Sequence, residues 1–188
     1  APLLKSKDAF SLLISSAPRE VFAASAGKMY SVQFAIEDES AYLARRLYDD
    51  GIRKVVLLFA DDGFSRTHER EFRKVFRGQI LDTLVYPSGD IAALRSEILK
   101  IRYLRPDAVF IPEVASLLLG AKRELKNIGL EKLPVFSVFA AKSPDILEAN
   151  SGAAEGLSIS YPDIGDEDAL VYYPRLGAKI LSEAAIHC

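Results

Sequence analysis

The sequence has few of the residues that bind metal ions or cross-link a chain. Its 188 residues include one cysteine, Cys188, and two histidines, His68 and His187, and tryptophan is absent. One cysteine cannot form an internal disulfide, and a zinc site needs more thiolate and imidazole ligands than the chain offers. A single thiol is compatible with the cytosol and equally with a secreted domain that is large enough to fold without disulfides.

Longer functional patterns are missing as well. The sequence contains neither a G-x-G-x-x-G nor a G-x-x-x-x-G-K-[ST] phosphate loop, and no G-x-S-x-G motif of a serine hydrolase. No apolar run approaches the ~18–20 residues of a membrane-spanning helix. The net charge is −2 and basic residues form no long tract, so nothing indicates binding to nucleic acid or to an anionic membrane. Nucleotide-dependent and hydrolytic enzymes are therefore poor candidates.

What the chain does have is the composition of a globular protein with a hydrophobic core, with 49% apolar and 27% charged residues. Apolar runs rich in β-forming residues alternate with segments of helical periodicity from residue 29 onward. We predict strands at residues 10–14, 29–36, 54–60, 79–86, 107–111, 134–139 and 156–161. We predict helices at residues 37–50, 65–77, 91–101, 115–128 and 175–186, and a further helix start at Ser143, Pro144 and Asp145.

This alternation determines the expected fold class. Strands that alternate with helices indicate βαβ units, which build a mainly parallel sheet through right-handed crossovers. We therefore expect an α/β protein, a three-layer sandwich in which helices cover both faces of the sheet. Residues 1–28 fit the pattern less well and are expected to be the tail of a preceding structural unit.

The end of the predicted strand at 54–60 is the most informative junction, because ligands of open α/β sheets bind at the carboxyl ends of strands. The strand is followed by the sequence DDGF, which begins with Asp61 and Asp62. Two aspartates can bind Mg²⁺ for phosphoryl transfer if a lysine and a hydroxyl, here Lys142 and Ser143, come from another strand end. Aspartate is also common in turns and as a helix cap, and that interpretation is favoured.

Other side chains near the predicted strand ends have two interpretations each. Glu113 suits a ligand contact or, more commonly, a cap on the following helix. The aromatic residues Phe64, Phe139 and Tyr161 either stack on a ligand or pack under loops. His68 lies in the charged segment RTHERE, where we expect a solvated surface residue rather than a catalytic one.

Five collinear stretches resemble segments of one known protein family. Residues 43–76 (LARRLYDDGIRKVVLLFADDGFSRTHEREFRKVF) resemble its helix, strand, double-aspartate turn with an aromatic residue, and second helix. Residues 85–111 (VYPSGDIAALRSEILKIRYLRPDAVFI) are similar to its run YPxGDxDFxxxLxxIKxxxPDAVFx. Residues 117–138, 151–162 and 173–186 resemble its KQARELGLKxP segment, its AGxAAEG strand and its YDAVxLLAEAI helix.

The family is that of the leucine/isoleucine/valine-binding proteins of ABC transporters, which have the type I periplasmic solute-binding fold with two lobes. The resemblance implies that residues 29–188 form a second-lobe α/β domain. Residues 1–28 are then expected to be a remnant of the first lobe and of the crossover, with most of the first lobe outside these 188 residues.

The resemblance also indicates a ligand site. In the family's amino-acid binders, hydroxyl residues hold the ligand carboxylate, an aromatic residue follows the double-aspartate turn, and an acidic residue binds the ligand ammonium. Phe139 replaces that acidic residue, unless Glu113 substitutes from the adjacent strand end, and losing the partner of a buried ammonium costs roughly 3–5 kcal/mol. We therefore expect a more apolar or aromatic solute. The predicted ligand-binding residues are Ser15, Ser16, Asp62, Phe64, Glu113, Val114 and Phe139.

The function implied by the resemblance is that of a non-enzymatic, extracytoplasmic solute-binding protein, or a lobe of one, in an ABC-type uptake system. It would bind a small apolar or aromatic carboxylate or an amino-acid-like solute in the periplasm, with a lipid anchor as one option. The expected partners are the solute and the membrane permease, together with a homodimer through the exposed half-cleft, and no cofactor is expected. Two alternatives stay open. One is a periplasmic lipoprotein-type domain that binds a protein such as a peptidoglycan synthase, and the other is a magnesium-dependent enzyme using Asp61 and Asp62.

Overall fold

A computed structural model describes residues 9–143, 154–165 and 167–187. Their strands are β1 Ser11–Leu13, β2 Met29–Ser31, β3 Lys54–Ala60, β4 Gln79–Tyr86, β5 Ala108–Phe110, β6 Val135–Ser137 and β7 Leu157–Ile159. Their helices are α1 Arg19–Ala23, α2 Ile36–Asp49, α3 Gly63–Val75, α4 Ile91–Leu104, α5 Ala115–Asn127 and α6 Ala169–His187, and a 3-10 turn spans Phe139–Ala141. None of these helices is long and apolar enough to cross a membrane.

The chain divides into two compact units. The first unit comprises residues 1–39 together with 162–188, and the second comprises residues 40–161. The first unit contains β1, α1, β2 and α6, whereas β3 to β7 lie in the second, and α2 begins in the first and continues in the second. The division into a first-lobe remnant and a second lobe at residue 28 stays a prediction.

A five-stranded, wholly parallel sheet forms the centre of the second unit, with the strand order β4-β3-β5-β6-β7. From β3 the chain passes to β4 on one side and then to β5 on the other side of β3. The direction of winding therefore reverses between β3 and β5. The predicted α/β class with a mainly parallel sheet is confirmed.

Two apolar layers cover the two faces of this sheet. Alternate residues of β3 face opposite layers, and all residues from Val55 to Ala60 are buried, which is why this strand reads as a continuous apolar run. One layer contains Leu47 of α2 and Phe72 of α3. The other contains Ile98 of α4 and Leu118 of α5. Helices thus pack on both faces, as the sequence pattern predicts.

The start of β3 is held by a carboxylate from the segment just before the neighbouring strand β5. Asp107, just before β5, accepts hydrogen bonds from the backbone N–H groups of Arg53 (2.9 Å) and Lys54 (2.8 Å) through Oδ2. The backbone N–H of Asp107 in turn donates to the carbonyl of Lys54 at 2.8 Å. These three bonds fix the amino end of the β3–β5 pair.

The first unit contains a short parallel ladder, in which Ser11 pairs with Met29 and Leu13 with Ser31. Helix α6 belongs to the same unit, and a Cβ atom at its Gly177 would lie 3.2 Å from the Ile14 side chain that follows β1. A mainly apolar groove of about 630 Å³ runs between side chains of this unit. It is lined by Phe10, Leu12, Gly27, Tyr30, Ser31, Val32, Leu176, Ile180, Leu181 and Ala184.

The end of β2 and the start of α6 differ from the sequence prediction because a polar side chain binds the backbone at each place. The strand predicted at 29–36 stops at Ser31, whose Oγ accepts the N–H of Gln33 at 2.9 Å in a local turn. The helix predicted from residue 175 begins at Ala169, because Asp168 accepts the N–H of Leu170 at 2.7 Å.

Other bounds shift by a few residues. The predicted strands at 107–111, 134–139 and 156–161 are three residues long each as β5, β6 and β7. Helix α3 begins at Gly63 rather than at residue 65. Apart from Ser143, the predicted helix start at Pro144 and Asp145 lies outside the described residues.

Candidate functional site

The reversal of strand order marks the carboxyl ends of β3 and β5 as the place where a sheet of this kind binds ligands. Asp62 and Phe64 follow β3, Glu113 and Val114 follow β5, and Phe139 follows β6, the next strand along. These five predicted residues therefore share one border of the second unit, which we call the carboxyl edge. The other two, Ser15 and Ser16, follow β1 in the first unit.

The double aspartate belongs to the start of helix α3. Asp62 is the N-cap, and its Oδ1 accepts the backbone N–H of Ser65 at 2.8 Å. Asp61 forms a solvent-exposed ion pair with Arg66. The Ser65 hydroxyl donates to the carbonyl of Pro112 at 3.3 Å, so the start of α3 is also tied to the loop after β5. The cap-and-turn interpretation is confirmed. Within the described ranges, no three His, Cys, Asp or Glu side chains cluster as metal ligands.

The cap can be tested by replacing Asp62. Asp62→Ala should lower the free energy of unfolding by about 1 kcal/mol, because the Ser65 N–H loses its acceptor. Asp62→Asn keeps an acceptor oxygen and should cost much less. Asp61→Ala removes an exposed ion pair and should cost about 0.5 kcal/mol or less. Urea unfolding of the three variants measures these differences, and equal losses for Asp61→Ala and Asp62→Ala would contradict the assignment.

Glu113 is a buried tie between three strand ends. Its residue surface is 5% exposed, and its Oε1 accepts the backbone N–H of Ala60 at 3.1 Å and the hydroxyl of Tyr86 at 2.6 Å. Ala60 ends β3, Tyr86 ends β4, and Glu113 follows β5. The predicted role as a cap on helix α5 is wrong, because the N-cap is Val114 and it makes no side-chain cap bond. The Glu113 carboxyl instead links the carboxyl ends of β3 and β4 to the segment after β5.

Burial has the largest effect on the pKa values of Glu113 and Tyr86. Burial raises the pKa of the Glu113 carboxyl above its usual value of 4.5, opposed by the hydrogen bonds from Tyr86 and Ala60 and assisted by the charge of Asp62. Burial likewise raises the pKa of Tyr86, and its hydrogen bond to Glu113 adds to the effect. Tyr86 therefore stays a neutral hydrogen-bond donor. By contrast, the neighbouring Val114 is 47% exposed and is available at the surface of the carboxyl edge.

His68 is the clearest correction to the sequence analysis, which predicts a solvated residue. It is 0% exposed. Its Nδ1 lies 2.7 Å from the Ser40 hydroxyl oxygen, and its ring makes a T-shaped contact with the Phe64 ring, with 4.6 Å between the ring centroids. Burial lowers the pKa of His68 from 6.5 to about 3, so the imidazole is neutral. The missed signal is the four-residue spacing of Phe64, His68 and Phe72, which places all three on one face of α3.

The aromatic residues after β6 and β7 form a small cluster. The ring centroids of Phe139 and Tyr161 lie 5.6 Å apart at an interplanar angle of 46°. The Nζ of Lys142 lies 3.3 Å from the centroid of the Tyr161 ring. No local pattern could reveal this contact, since Lys142 and Tyr161 are far apart in the sequence and meet because β6 and β7 are adjacent in the sheet.

The parallel sheet, its helical layers and its reversal point define a type I periplasmic-binding-protein fold, as comparison with solved structures shows. The leucine-binding protein LivK from Thermotoga maritima MSB8 is similar to this chain with a TM-score of 0.78 and 19% identity, over 94% of this chain and 53% of that one. No protein-family model and no curated protein sequence matches the chain.

Two further solved structures have the same fold. One is the solute-binding protein of an ABC transporter from Rhodopseudomonas palustris HaA2 in complex with p-hydroxybenzoic acid, with a TM-score of 0.77, 18% identity, and coverage of 94% of this chain and 50% of that one. The other is the substrate-binding protein LivJ from Streptococcus pneumoniae in complex with isoleucine, with a TM-score of 0.71, 13% identity, and coverage of 88% and 49%. The chain thus spans about half the length of these proteins, and the fold that the sequence resemblance implies is confirmed.

Proposed function

We propose that this chain is a solute-binding lobe of an extracytoplasmic protein in an ABC-type uptake system, and that it is a binding module rather than an enzyme. One observation carries the proposal. Phe64 and Glu113 lie at the reversal point, and Phe139 lies at the end of the next strand, in a fold that the chain shares with three solute- or substrate-binding proteins. The permease of the transporter is the expected membrane partner, and the periplasm is the expected location.

The solute class follows from the side chains at the carboxyl edge. Aromatic rings such as Phe64 and Phe139 stack well on apolar or aromatic groups. The bound molecules in the two complexes above are an aromatic acid and an amino acid. We propose a small apolar or aromatic carboxylate or an amino-acid-like solute. Binding would shift the protein towards the conformation that binds the solute more tightly. The size of the shift is set by the difference in solute affinity between the two conformations.

A thermal-shift screen of the purified chain tests this function. The panel contains amino acids, benzoates, short peptides and Mg²⁺, each at a high concentration. A solute at 100 times its dissociation constant adds roughly 2.7 kcal/mol to the free energy of unfolding, which raises the melting temperature by several degrees. The shift should shrink in Phe139→Ala. It should persist in Tyr103→Ala, a control that removes an aromatic side chain 85% exposed on α4.

The outcomes separate the competing functions. A shift with carboxylates or amino acids that Phe139→Ala reduces supports solute binding at the carboxyl edge. A shift with Mg²⁺ alone would favour the magnesium-dependent alternative. The absence of any shift across the panel would contradict solute binding and would favour the alternative in which a domain of this fold binds a protein partner.

A further inference from the structure

A lysine lies against the aromatic side chains of the carboxyl edge. Lys142 follows the 3-10 turn after β6 and places its ammonium over the face of Tyr161, whose ring also contacts Phe139. All three side chains are half-buried. Because β6 and β7 are hydrogen-bonded neighbours, the sheet itself holds the backbone on both sides of this group.

An ammonium over an aromatic face keeps its hydrogen-bonding capacity. The ring attracts the positive charge through its quadrupole, but it does not occupy the three N–H donors as carboxylate oxygens would. Among the residues that the structure describes, no carboxylate forms an ion pair with Lys142. Lys142 is therefore a positioned cation that still has donors for an anionic group.

The carboxyl end of β6 offers little to a solute cation. The predicted acidic position after β6 is occupied by Phe139, and the Oε1 of Glu113 is already engaged by the N–H of Ala60 and the hydroxyl of Tyr86. A solute ammonium at the end of β6 would face the like charge of Lys142 without a carboxylate from Phe139. A carboxylate at the same place would gain a charge-assisted hydrogen bond.

We infer that Lys142 is the charge-recognition residue of the solute site, and that the solute is an aromatic monocarboxylate without an α-ammonium group. Its carboxylate binds the ammonium of Lys142, and its ring packs on Phe139 and Tyr161. This inference rests on the proposed function and deepens it by selecting one solute class.

Titration calorimetry on the 188-residue chain tests the inference with benzoate, 4-hydroxybenzoate, benzamide and L-leucine. Benzamide has the shape of benzoate without its charge, so the wild type should bind benzoate about tenfold more tightly than benzamide. Lys142→Gln should weaken benzoate binding about tenfold and leave benzamide binding nearly unchanged. Lys132→Gln removes an exposed lysine of the loop before β6 and should behave as the wild type. Tyr161→Phe should keep the affinity, whereas Tyr161→Leu should reduce it for both aromatic ligands.

The contrary outcomes are distinct. If L-leucine binds more tightly than benzoate, or if wild type binds benzamide as well as benzoate, Lys142 does not select a carboxylate and the inference is wrong, while the proposed function stands. The comparison of benzoate with benzamide on the wild type needs no variant, so a failure of Lys142→Gln to fold does not affect it. If the wild type binds none of the four ligands and nothing in the wider thermal-shift panel, both the inference and the proposed function are overturned.

Discussion

Replacing Glu113 by alanine is expected to lower the free energy of unfolding by about 2–4 kcal/mol, because two buried donors lose their acceptor. The donors are the backbone N–H of Ala60 and the hydroxyl of Tyr86, both in residues almost inaccessible to solvent. A buried donor without a partner keeps its desolvation cost and loses the compensating hydrogen bond. The effect should therefore exceed that of an ordinary surface substitution.

Glu113→Gln is the matched control, because the amide retains an acceptor oxygen at the position of Oε1. It should cost at most about 1 kcal/mol. Tyr86→Phe removes one of the two donors, so the loss caused by Glu113→Ala should be smaller in the Tyr86→Phe background than in the wild type. Urea unfolding at neutral pH measures the wild type, the three single variants and the Glu113→Ala/Tyr86→Phe double variant. Equal losses for the alanine and glutamine variants would show that packing, rather than the two hydrogen bonds, determines the role of Glu113.

Acid is expected to destabilise the fold through His68 well before most carboxylates are protonated. The pKa of this imidazole is about 3 in the folded chain, against 6.5 for an ordinary histidine, because the ring is buried. Between these values the unfolded chain binds a proton that the folded chain does not. The stabilisation is therefore complete above pH 6.5 and is lost as the pH falls towards 3. The loss should reach about 2 kcal/mol on going from about pH 7.5 to about pH 5.

The contribution of His68 is isolated by comparing the wild type with His68→Gln across this pH range. Glu113 acts in the opposite sense, because a raised pKa in the folded chain gives stability that is present at low pH and is lost as the pH rises through the raised value. This contribution cancels in the difference between the two proteins, since both retain Glu113. The difference in unfolding free energy should shrink with acid, and a difference independent of pH would contradict a neutral, buried imidazole.

Much of the fold could be predicted from sequence because its signals are local. The bounds of β3 and β4 agree with the prediction residue for residue, since a covered strand must be apolar on both faces and turn residues follow it. Two bounds were missed where single polar side chains decide. Ser31 ends β2 because its hydroxyl oxygen accepts the backbone N–H of Gln33. Asp168 accepts the backbone N–H of Leu170, so α6 starts six residues before the predicted residue 175.

The candidate site was only partly accessible from sequence, because its contacts join distant segments. The double-aspartate turn and its cap are local, and the cap interpretation of Asp62 was correct. Glu113 accepts hydrogen bonds from Ala60 and Tyr86, which lie near it only because β4, β3 and β5 are neighbours in the sheet. The Lys142–Tyr161 contact depends on the pairing of β6 with β7. No periodicity in the chain encodes these neighbours, so only the three-dimensional structure could identify them.

Two acidic residues that flank β5 hold the two ends of β3 by hydrogen bonds. Asp107 holds the backbone N–H groups of Arg53 and Lys54 at one end of β3, and Glu113 holds that of Ala60 at the other. A slip of β3 along β5 by two residues, the smallest that keeps each side chain on its own face, would break both attachments at once. The pair of strands that borders the reversal point thus has a fixed alignment, and any solute bound there meets a surface with one fixed spacing of side chains.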